Sequence, residues 1–182
     1  YGVAHMSLYI LKVNQGYRYF EMLPSEEEIE DEYFELVGVL AKNGFSQYEV
    51  SNFSKPNFES RHNKKYWSLD SVLALGPSAT GYFASEKMRY KWKTDKNIFV
   101  EENLTSDEEH LEKIYLNLRT NSGISVEELE SRSTQVDSVK RLLNLWESRG
   151  VAQVNGGKVH LNQKGFLLMD SLMDELFSNK IL

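Results

Sequence analysis

The sequence has 182 residues, of which 41% are hydrophobic and 12% are aromatic, and it contains no cysteine. This composition excludes an intrinsically disordered chain and predicts one domain or two small ones. The net charge is −6, and no apolar run approaches the roughly 18 residues that a membrane span requires. The lack of cysteine excludes disulfides, a thiol nucleophile and cysteine ligands for zinc or an iron–sulfur cluster, so we expect a cytoplasmic protein.

The N-terminal region predicts a strand, a helix and a second strand. Residues 5–13 are almost continuously apolar, which is typical of a strand that is buried on both faces. Because strand-like sequence follows Tyr1 without a start signal or a targeting segment, we expect a piece of a longer chain. Ser25 and Glu28 form a capping box for the helix, and residues 45–50 predict the next strand. Such a unit ordinarily contains two parallel strands of an α/β sheet.

The middle of the chain predicts a loop and short strands. Residues 51–67 are polar and irregular, and residues 72–75 predict a short buried strand that ends in a turn. Residues 81–93, with aromatic residues around a polar turn, predict a β-hairpin.

A second module begins near residue 104, and its element order is that of a winged helix. Asn155, Gly156 and Gly157 provide a strong hairpin turn within it. Ser125 and Glu128 predict a capping pair for its second helix. The predicted elements are helices at 107–120, 126–131 and 136–149, strands at 151–154 and 158–161, and a last helix at 163–177.

A winged helix suggests nucleic-acid binding, but the charge of this module opposes that function. Residues 104–182 carry 9 basic and 12 acidic residues, and the helix at 136–149 has a net charge of only +1. Because phosphate contacts dominate affinity for nucleic acids, a binding module should present a basic face. We therefore expect a packing or lid domain whose core includes Leu142, Leu143 and Trp146.

Residues 46–67 contain the most informative group of side chains. His62 offers an imidazole that can donate or accept a hydrogen bond or ligate a metal. Cationic and aromatic side chains follow it closely, a combination that suits a large, flat, anionic molecule. The alternative is a histidine that hydrogen-bonds its own loop, and the residues alone favour that alternative. The neighbouring cations and rings are Arg61, Lys64, Lys65, Tyr66 and Trp67.

A second candidate segment is the small-residue turn that contains Gly76 and Ser78. Small residues there would let backbone amides approach a ligand closely, although the same composition also suits a plain tight turn. Among the other histidines we expect a structural role for His5 and surface positions for His110 and His160.

Five blocks of the sequence occur in the same order in a known family, the oxygen-independent coproporphyrinogen III oxidase-like radical-SAM proteins, whose C-terminal half the sequence resembles. The resemblance implies an α/β fold, which becomes α+β overall when the mostly helical C-terminal domain is included. Residues 1–103 would supply the last strands of a partial radical-SAM (β/α)6 barrel with a hairpin, and residues 104–182 a mostly helical, winged-helix-like cover domain. The blocks are His-Met-Ser-Leu-Tyr at 5–9, Tyr-Glu-Val-Ser-Asn-Phe at 48–53, Ser-Arg-His-Asn-Lys-Lys-Tyr-Trp at 60–67, Leu-Gly-Pro-Ser-Ala at 75–79 and Leu-Asn-Leu-Arg-Thr-Asn-Ser-Gly at 116–123.

Within this family, His62, Asn63 and Tyr66 match the motif of the haem chaperone, or HemW-like, branch. The resemblance implies that haem or a porphyrin is bound and makes His62 a candidate axial ligand of the haem iron. Haem chemistry then assigns the ring face to Tyr66 or Trp67 and the propionates to basic side chains, while Asn63 would orient the imidazole. The remaining candidate contacts are Arg61, Lys64, Lys65, Gly76 and Ser78, and no catalytic residue is assigned.

Intact proteins of this family hold a [4Fe–4S] cluster on three cysteines and use S-adenosylmethionine. The cysteine motif is absent here, and Asn14 and Thr80 stand where the family usually has other residues. We therefore expect this chain alone to be inactive in radical chemistry.

Three functions remain open from the sequence. The leading hypothesis is a haem chaperone that binds haem and delivers it to haem proteins. The alternatives are oxidative decarboxylation of coproporphyrinogen III in porphyrin biosynthesis and, disfavoured by charge, a winged-helix nucleic-acid-binding module. We also expect the exposed barrel edge to favour a dimer.

Overall fold

The computed structural model describes residues 2–93, 99–133 and 135–178 of the chain. These residues form a mixed α/β structure, which confirms the predicted fold class. The chain divides into two compact units, Tyr1–Glu59 and Ser60–Leu182. Across the described ranges, no helix combines the length and apolarity needed to cross a membrane. The domain boundary proposed near residue 104 stays a prediction.

The N-terminal unit contains one long helix and a three-stranded sheet. The sheet order is β1-β3-β2, and both outer strands are antiparallel to β3. The two predicted strands, β1 and β2, therefore run parallel to each other in one sheet as expected, but β3 lies between them and is antiparallel to both. The elements are β1 (His5–Ser7), a 3₁₀ helix (Phe20–Met22), α1 (Glu26–Lys42), β2 (Ser46–Gln47) and β3 (Asn52–Ser54).

A tight turn shortens the strand that was expected over residues 45–50. After β2 the amide of Asn52 donates to the carbonyl oxygen of Glu49 at 3.4 Å. The Glu49 carboxylate, which is fully buried, accepts the amide of Ser51 at 2.9 Å. Because these groups bond within the turn, they do not continue a ladder, and the chain reverses to form β3.

The segment that follows β1 is not buried as predicted. Tyr9 is 78% exposed, and Ile10 and Leu11 are exposed as well. Within the described part of the chain β1 pairs only with β3, so β1 is an edge strand of this sheet. The expectation of a strand buried on both faces over residues 5–13 is therefore wrong for this structure.

Helix α1 begins as its sequence predicts. The Ser25 hydroxyl accepts the amide of Glu28 at 3.3 Å, and the Glu28 carboxylate accepts the amide of Ser25 at 2.8 Å. The capping box is thus confirmed, and its hydrogen bonds hold the pKa of Glu28 below the ordinary glutamate value. Three apolar residues on one face of the helix are buried, namely Tyr33, Val37 and Leu40.

The C-terminal unit contains two further antiparallel sheets, β4-β5-β6 and β7-β9-β8. The hairpin predicted over residues 81–93 is confirmed as β4 and β5, whereas the third strand, β6, was not predicted. The elements are α2 (Arg61–Trp67), β4 (Thr80–Phe83), β5 (Met88–Trp92), β6 (Phe99–Asn103), α3 (Ser106–Leu118), β7 (Ile124–Ser125), α4 (Val126–Arg132), α5 (Val136–Ser148), β8 (Ala152–Asn155), β9 (Lys158–Leu161), α6 (Gln163–Leu167) and α7 (Met169–Ser178).

Two predictions for the middle of the chain are wrong. Residues 51–67 are not irregular throughout, since they contain β3 and α2. Residues 72–75 do not form a buried strand: Val72 makes one isolated bridge to Tyr82, and Leu73 and Leu75 are 70% and 74% exposed. A single bridge leaves the segment without the ladder that defines a strand.

The winged-helix order is confirmed in α3, α4, α5, the β8–β9 hairpin and the final helices. Leu142, Leu143 and Trp146 are buried, as expected of core residues, and the Trp146 indole donates to the Glu175 carboxylate at 2.8 Å. The capping pair predicted at Ser125 is wrong, because the Ser125 side chain accepts no capping hydrogen bond. The predicted last helix is also interrupted, between α6 and α7.

Candidate functional site

Helix α2 carries most of the predicted site residues in two helical turns. Ser60 begins it, since the Ser60 hydroxyl accepts the backbone amide of Asn63 at 3.2 Å. Residues four positions apart share a face of a helix, so this start point decides which side chains appear together. His62 pairs with Tyr66 on one face, and Asn63 lies above Trp67 on another.

The His62 imidazole is exposed and lies edge-on to the ring of Tyr66. The two ring centroids are 5.0 Å apart, and the ring planes are inclined by 87°. Among the described residues, the imidazole of His62 makes no hydrogen bond. The sequence-based alternative of a histidine that is hydrogen-bonded within its own loop is therefore not observed.

Trp67 occupies a different environment from His62. The guanidinium carbon of Arg119 lies 4.2 Å from the centroid of the Trp67 rings. The indole Nε1 atom is buried and has no hydrogen-bond partner within the described ranges. Trp67 therefore contacts Arg119 through its aromatic face. The ring that lies beside His62 is that of Tyr66.

The charges of α2 differ from those of the chain as a whole. Its seven residues include three cations and no acidic residue, although the chain carries −6. Arg61 stands in the first turn, where a positive charge opposes the helix dipole and weakens the helix. Lys64 and Lys65 stand in the last turn, where a positive charge suits the dipole, so only the position of Arg61 is unfavourable to the helix. The exposed cations are Arg61, Lys64 and Lys65.

Asn63 is half-buried, and no hydrogen bond joins its amide to the imidazole of His62 in the described part of the chain. The expected role of Asn63 in orienting His62 is therefore not supported by a direct hydrogen bond between the two side chains. Its backbone, by contrast, is held by the cap of α2.

The turn that contains Gly76 and Ser78 has a specific backbone shape. Gly76 has φ +99° and Ser78 has φ +63°, so both occupy the left-handed region. The amide of Ser78 donates to the carbonyl oxygen of Trp92 at 3.1 Å, and the amide of Ala79 donates to that of Gly76 at 3.1 Å. These two amides are therefore engaged, and no hydrogen bond or ring contact in the described ranges joins the turn to α2.

The other histidines are engaged in local contacts. His5 Nε2 lies 2.8 Å from the Tyr48 hydroxyl, as a structural role requires, and His160 Nδ1 lies 3.2 Å from a carbonyl oxygen. His110 is not the surface residue that was expected, because its side chain is only 17% exposed and lies 4.0 Å from the Glu128 carboxylate. Burial lowers the pKa of His110. No group of three or more metal-ligating side chains occurs among the described residues.

Sequence reasoning missed Arg119, which lies at the end of α3 and contacts α2. It belongs to the resemblance block at residues 116–123, and an arginine one helical turn after Tyr115 was the available signal. A pair of cationic and aromatic residues four positions apart is common on a helix surface, so the pattern did not indicate that a second helix is involved.

Comparisons with known proteins agree with the resemblance. No protein-family model matches the sequence. The heme chaperone HemW of Lactococcus lactis is 31% identical over 98% of this chain and 52% of its own length. The heme chaperone HemW of Mycobacterium tuberculosis is 28% identical over 96% of this chain and 48% of its own length. The chain thus spans about half the length of these relatives.

A solved structure matches as well. It is the coproporphyrinogen III oxidase (HemN) from Escherichia coli, a radical SAM enzyme, with a TM-score of 0.63 over 88% of this chain and 43% of that chain. The sequence identity is 15%, so this likeness concerns the fold alone. Together, the relatives and the fold support the resemblance to the HemW/HemN-like radical-SAM family, whose C-terminal region this chain matches.

Proposed function

We propose that this chain binds haem through His62 and takes part in delivering haem to proteins that require it. Relatives that align with more than nine-tenths of the chain carry the name heme chaperone. The observation that carries the proposal is the exposed His62 imidazole, which lies edge-on to Tyr66 and makes no hydrogen bond to the described residues.

Haem iron accepts a neutral imidazole as an axial ligand. An exposed imidazole that has no protein partner can meet the iron without first breaking a hydrogen bond. The Tyr66 ring restricts its orientation, because an edge-to-face pair is more stable than two rings without contact. His62 is therefore available and at the same time oriented.

The neighbouring residues of α2 suit the rest of the haem molecule. Tyr66 offers an aromatic surface beside the imidazole, and Arg61 and Lys65 are exposed cations that can pair with the propionates. Asn63, Gly76 and Ser78 remain proposed contacts, with the turn approaching the porphyrin edge rather than the iron.

A site of this kind suits transfer better than permanent storage. The ligand stands on an exposed two-turn helix, so a second protein can reach the haem while it is still bound. Since one axial bond and surface ion pairs contribute modestly, release does not require unfolding of the site.

The residues of this chain do not fit an iron–sulfur cluster, because such clusters are held by cysteine thiolates and the sequence has none. S-adenosylmethionine chemistry is therefore proposed only for longer proteins of the family. No specific observation on this chain favours the coproporphyrinogen oxidase alternative.

A haem titration that follows the Soret band tests the proposal. We expect His62→Ala to weaken binding by at least about tenfold, which corresponds to about 1.4 kcal/mol, and to shift the Soret maximum. His160→Ala is the matched control, since His160 is hydrogen-bonded in the winged-helix module. A His62→Ala variant with the parent affinity and spectrum would remove His62 as the ligand.

A further inference from the structure

A continuous series of ring contacts connects His62 to helix α3. His62 contacts Tyr66 at 5.0 Å between centroids, and Tyr66 contacts Trp67 at 6.5 Å. Arg119 then lies over Trp67 at 4.2 Å, and also over Tyr115 at 5.9 Å. The first three residues belong to α2, whereas the last two belong to the end of α3.

Helix α2 needs such a connection, because it does not determine its own position. It has seven residues, none of them buried. Isolated helices of this length are unstable in water, and most helical stability in proteins comes from packing. Its N-terminal end is held by the cap from Ser60, and the stacking of Arg119 on Trp67 joins its C-terminal end to α3.

Helix α3, in contrast, is firmly anchored. Ile114 and Leu118 are fully buried in the core of the C-terminal unit. Arg119 directly follows this helix, and its guanidinium group lies 3.4 Å from the Tyr115 hydroxyl. The guanidinium is therefore held by an anchored helix on one side while it stacks on the indole of Trp67 on the other.

We infer that Arg119 is a positioning residue, which holds the His62–Tyr66 pair in its binding orientation by clamping Trp67 against α3. The inference rests on the proposed function for its consequence in haem binding. Because the residues of an α-helix share one hydrogen-bonded backbone, a rotation of α2 at Trp67 also turns the imidazole of His62.

A stacked arginine suits this role better than a lysine. A planar guanidinium covers the indole face and fixes the tilt of the ring, whereas an ammonium group acts as a point charge that leaves the tilt free. Arg119→Lys should therefore hold Trp67 in position in part, and Arg119→Ala should no longer hold it.

The first experiment needs no haem. The ring-proton NMR signals of His62 report the position of the Tyr66 ring, because an aromatic ring at 5.0 Å displaces them. We expect Arg119→Ala to move these signals towards those of a free histidine and Arg119→Lys to give an intermediate shift. Arg132→Ala is the matched control, since Arg132 pairs with Asp107 on α3 but does not contact α2. Unchanged His62 signals in folded Arg119→Ala would overturn the inference.

The second experiment repeats the haem titration with the same variants. Arg119→Ala should weaken haem binding about threefold to tenfold and broaden the Soret band, whereas Arg132→Ala should match the parent. Trp67→Leu should have the same effect, and the double variant should be no weaker than either single variant, because both changes remove one contact. A loss of haem affinity in the double variant equal to the sum of the two single losses would contradict the inference that Arg119 acts through Trp67.

The two proposals fail in different ways. If the parent chain binds no haem, or His62→Ala binds it as the parent does, the proposed function fails while the NMR result still decides the role of Arg119. If Arg119→Ala loses its far-UV circular dichroism, Arg119→Lys carries the test, and His62 signals identical to those of the parent would count against the inference.

Discussion

Gly81 and Tyr90 lie directly opposite each other in the β4–β5 pair, and the phenol ring of Tyr90 crosses the Cα of Gly81. The ring continues beyond the sheet to Ala74, where the hydroxyl accepts the amide at 2.8 Å and donates to the carbonyl oxygen at 3.0 Å. The missing side chain at position 81 thus lets Tyr90 hold a segment that pairs with β4 only through the isolated bridge at Val72.

The substitution Gly81→Ala should therefore destabilise the C-terminal unit by about 1–3 kcal/mol, because the added Cβ would overlap the Tyr90 ring. Urea denaturation followed by circular dichroism measures this change. In a Tyr90→Leu background the same substitution should be much milder, since the ring is absent. Equal losses in both backgrounds would show that the ring is not the cause.

The residues that precede α3 and α4 offer a matched pair of capping variants. Thr105 accepts the amide of Glu108 at 3.2 Å, whereas Ser125, at the start of α4, accepts no capping hydrogen bond. We expect Thr105→Ala to lower the free energy of unfolding by about 0.5–2 kcal/mol and Ser125→Ala to change it by less than about 0.5 kcal/mol. Comparable losses for the two variants in thermal melts would contradict the assignment of the caps.

The lowered pKa of His110 should make the folding stability depend on pH. Burial, and next the charge of Arg132, lower the pKa of His110 in the folded chain below the ordinary histidine value of about 6.5. Between the two pKa values the unfolded chain binds more protons, so stability is complete above about pH 6.5 and declines as the pH falls below it. Urea denaturation of His110→Gln should show a flatter profile in this range.

A second loss of folding stability should appear at lower pH, and its lower pH range distinguishes it from the loss caused by His110. Hydrogen bonds from the caps at Ser25 and Thr105 lower the pKa values of Glu28 and Glu108 below the ordinary glutamate value of 4.5. Their contribution is present above pH 4.5 and is lost as the pH falls through the lowered values. His110→Gln should retain this acidic limb, and a variant that loses both limbs would contradict the assignment.

The winged-helix module should not retain DNA or RNA at physiological salt. Its net charge is −3, Trp146 is fully buried, and Lys140 lies 3.8 Å from the Glu130 carboxylate. An acidic module of this kind lacks the phosphate contacts on which affinity depends. Fluorescence anisotropy with a labelled duplex checks this, and micromolar binding that weakens steeply with added salt would reverse the prediction.

Local patterns allowed several elements to be predicted without a structure. The capping box at Ser25, the hairpin over residues 81–93 and the glycine turn at 156–157 depend on residues only a few positions apart. The conformation that such residues adopt is decided by nearby hydrogen bonds and by the freedom of glycine, both of which are visible in the sequence. The same holds for the core face of α5, which follows from helical spacing.

For the candidate site, the sequence by itself determined only that His62, Tyr66 and the cations lie within a few residues of one another. That residues 61–67 form the helix α2, which places His62 and Tyr66 on one face, was decided by the structure. Only the tertiary structure decided that β3 lies between β1 and β2, that Leu73 and Leu75 are exposed, and that Arg119 stacks on Trp67. These relationships join residues far apart in the chain, and the energy of such contacts depends on how whole elements pack, which local patterns do not encode.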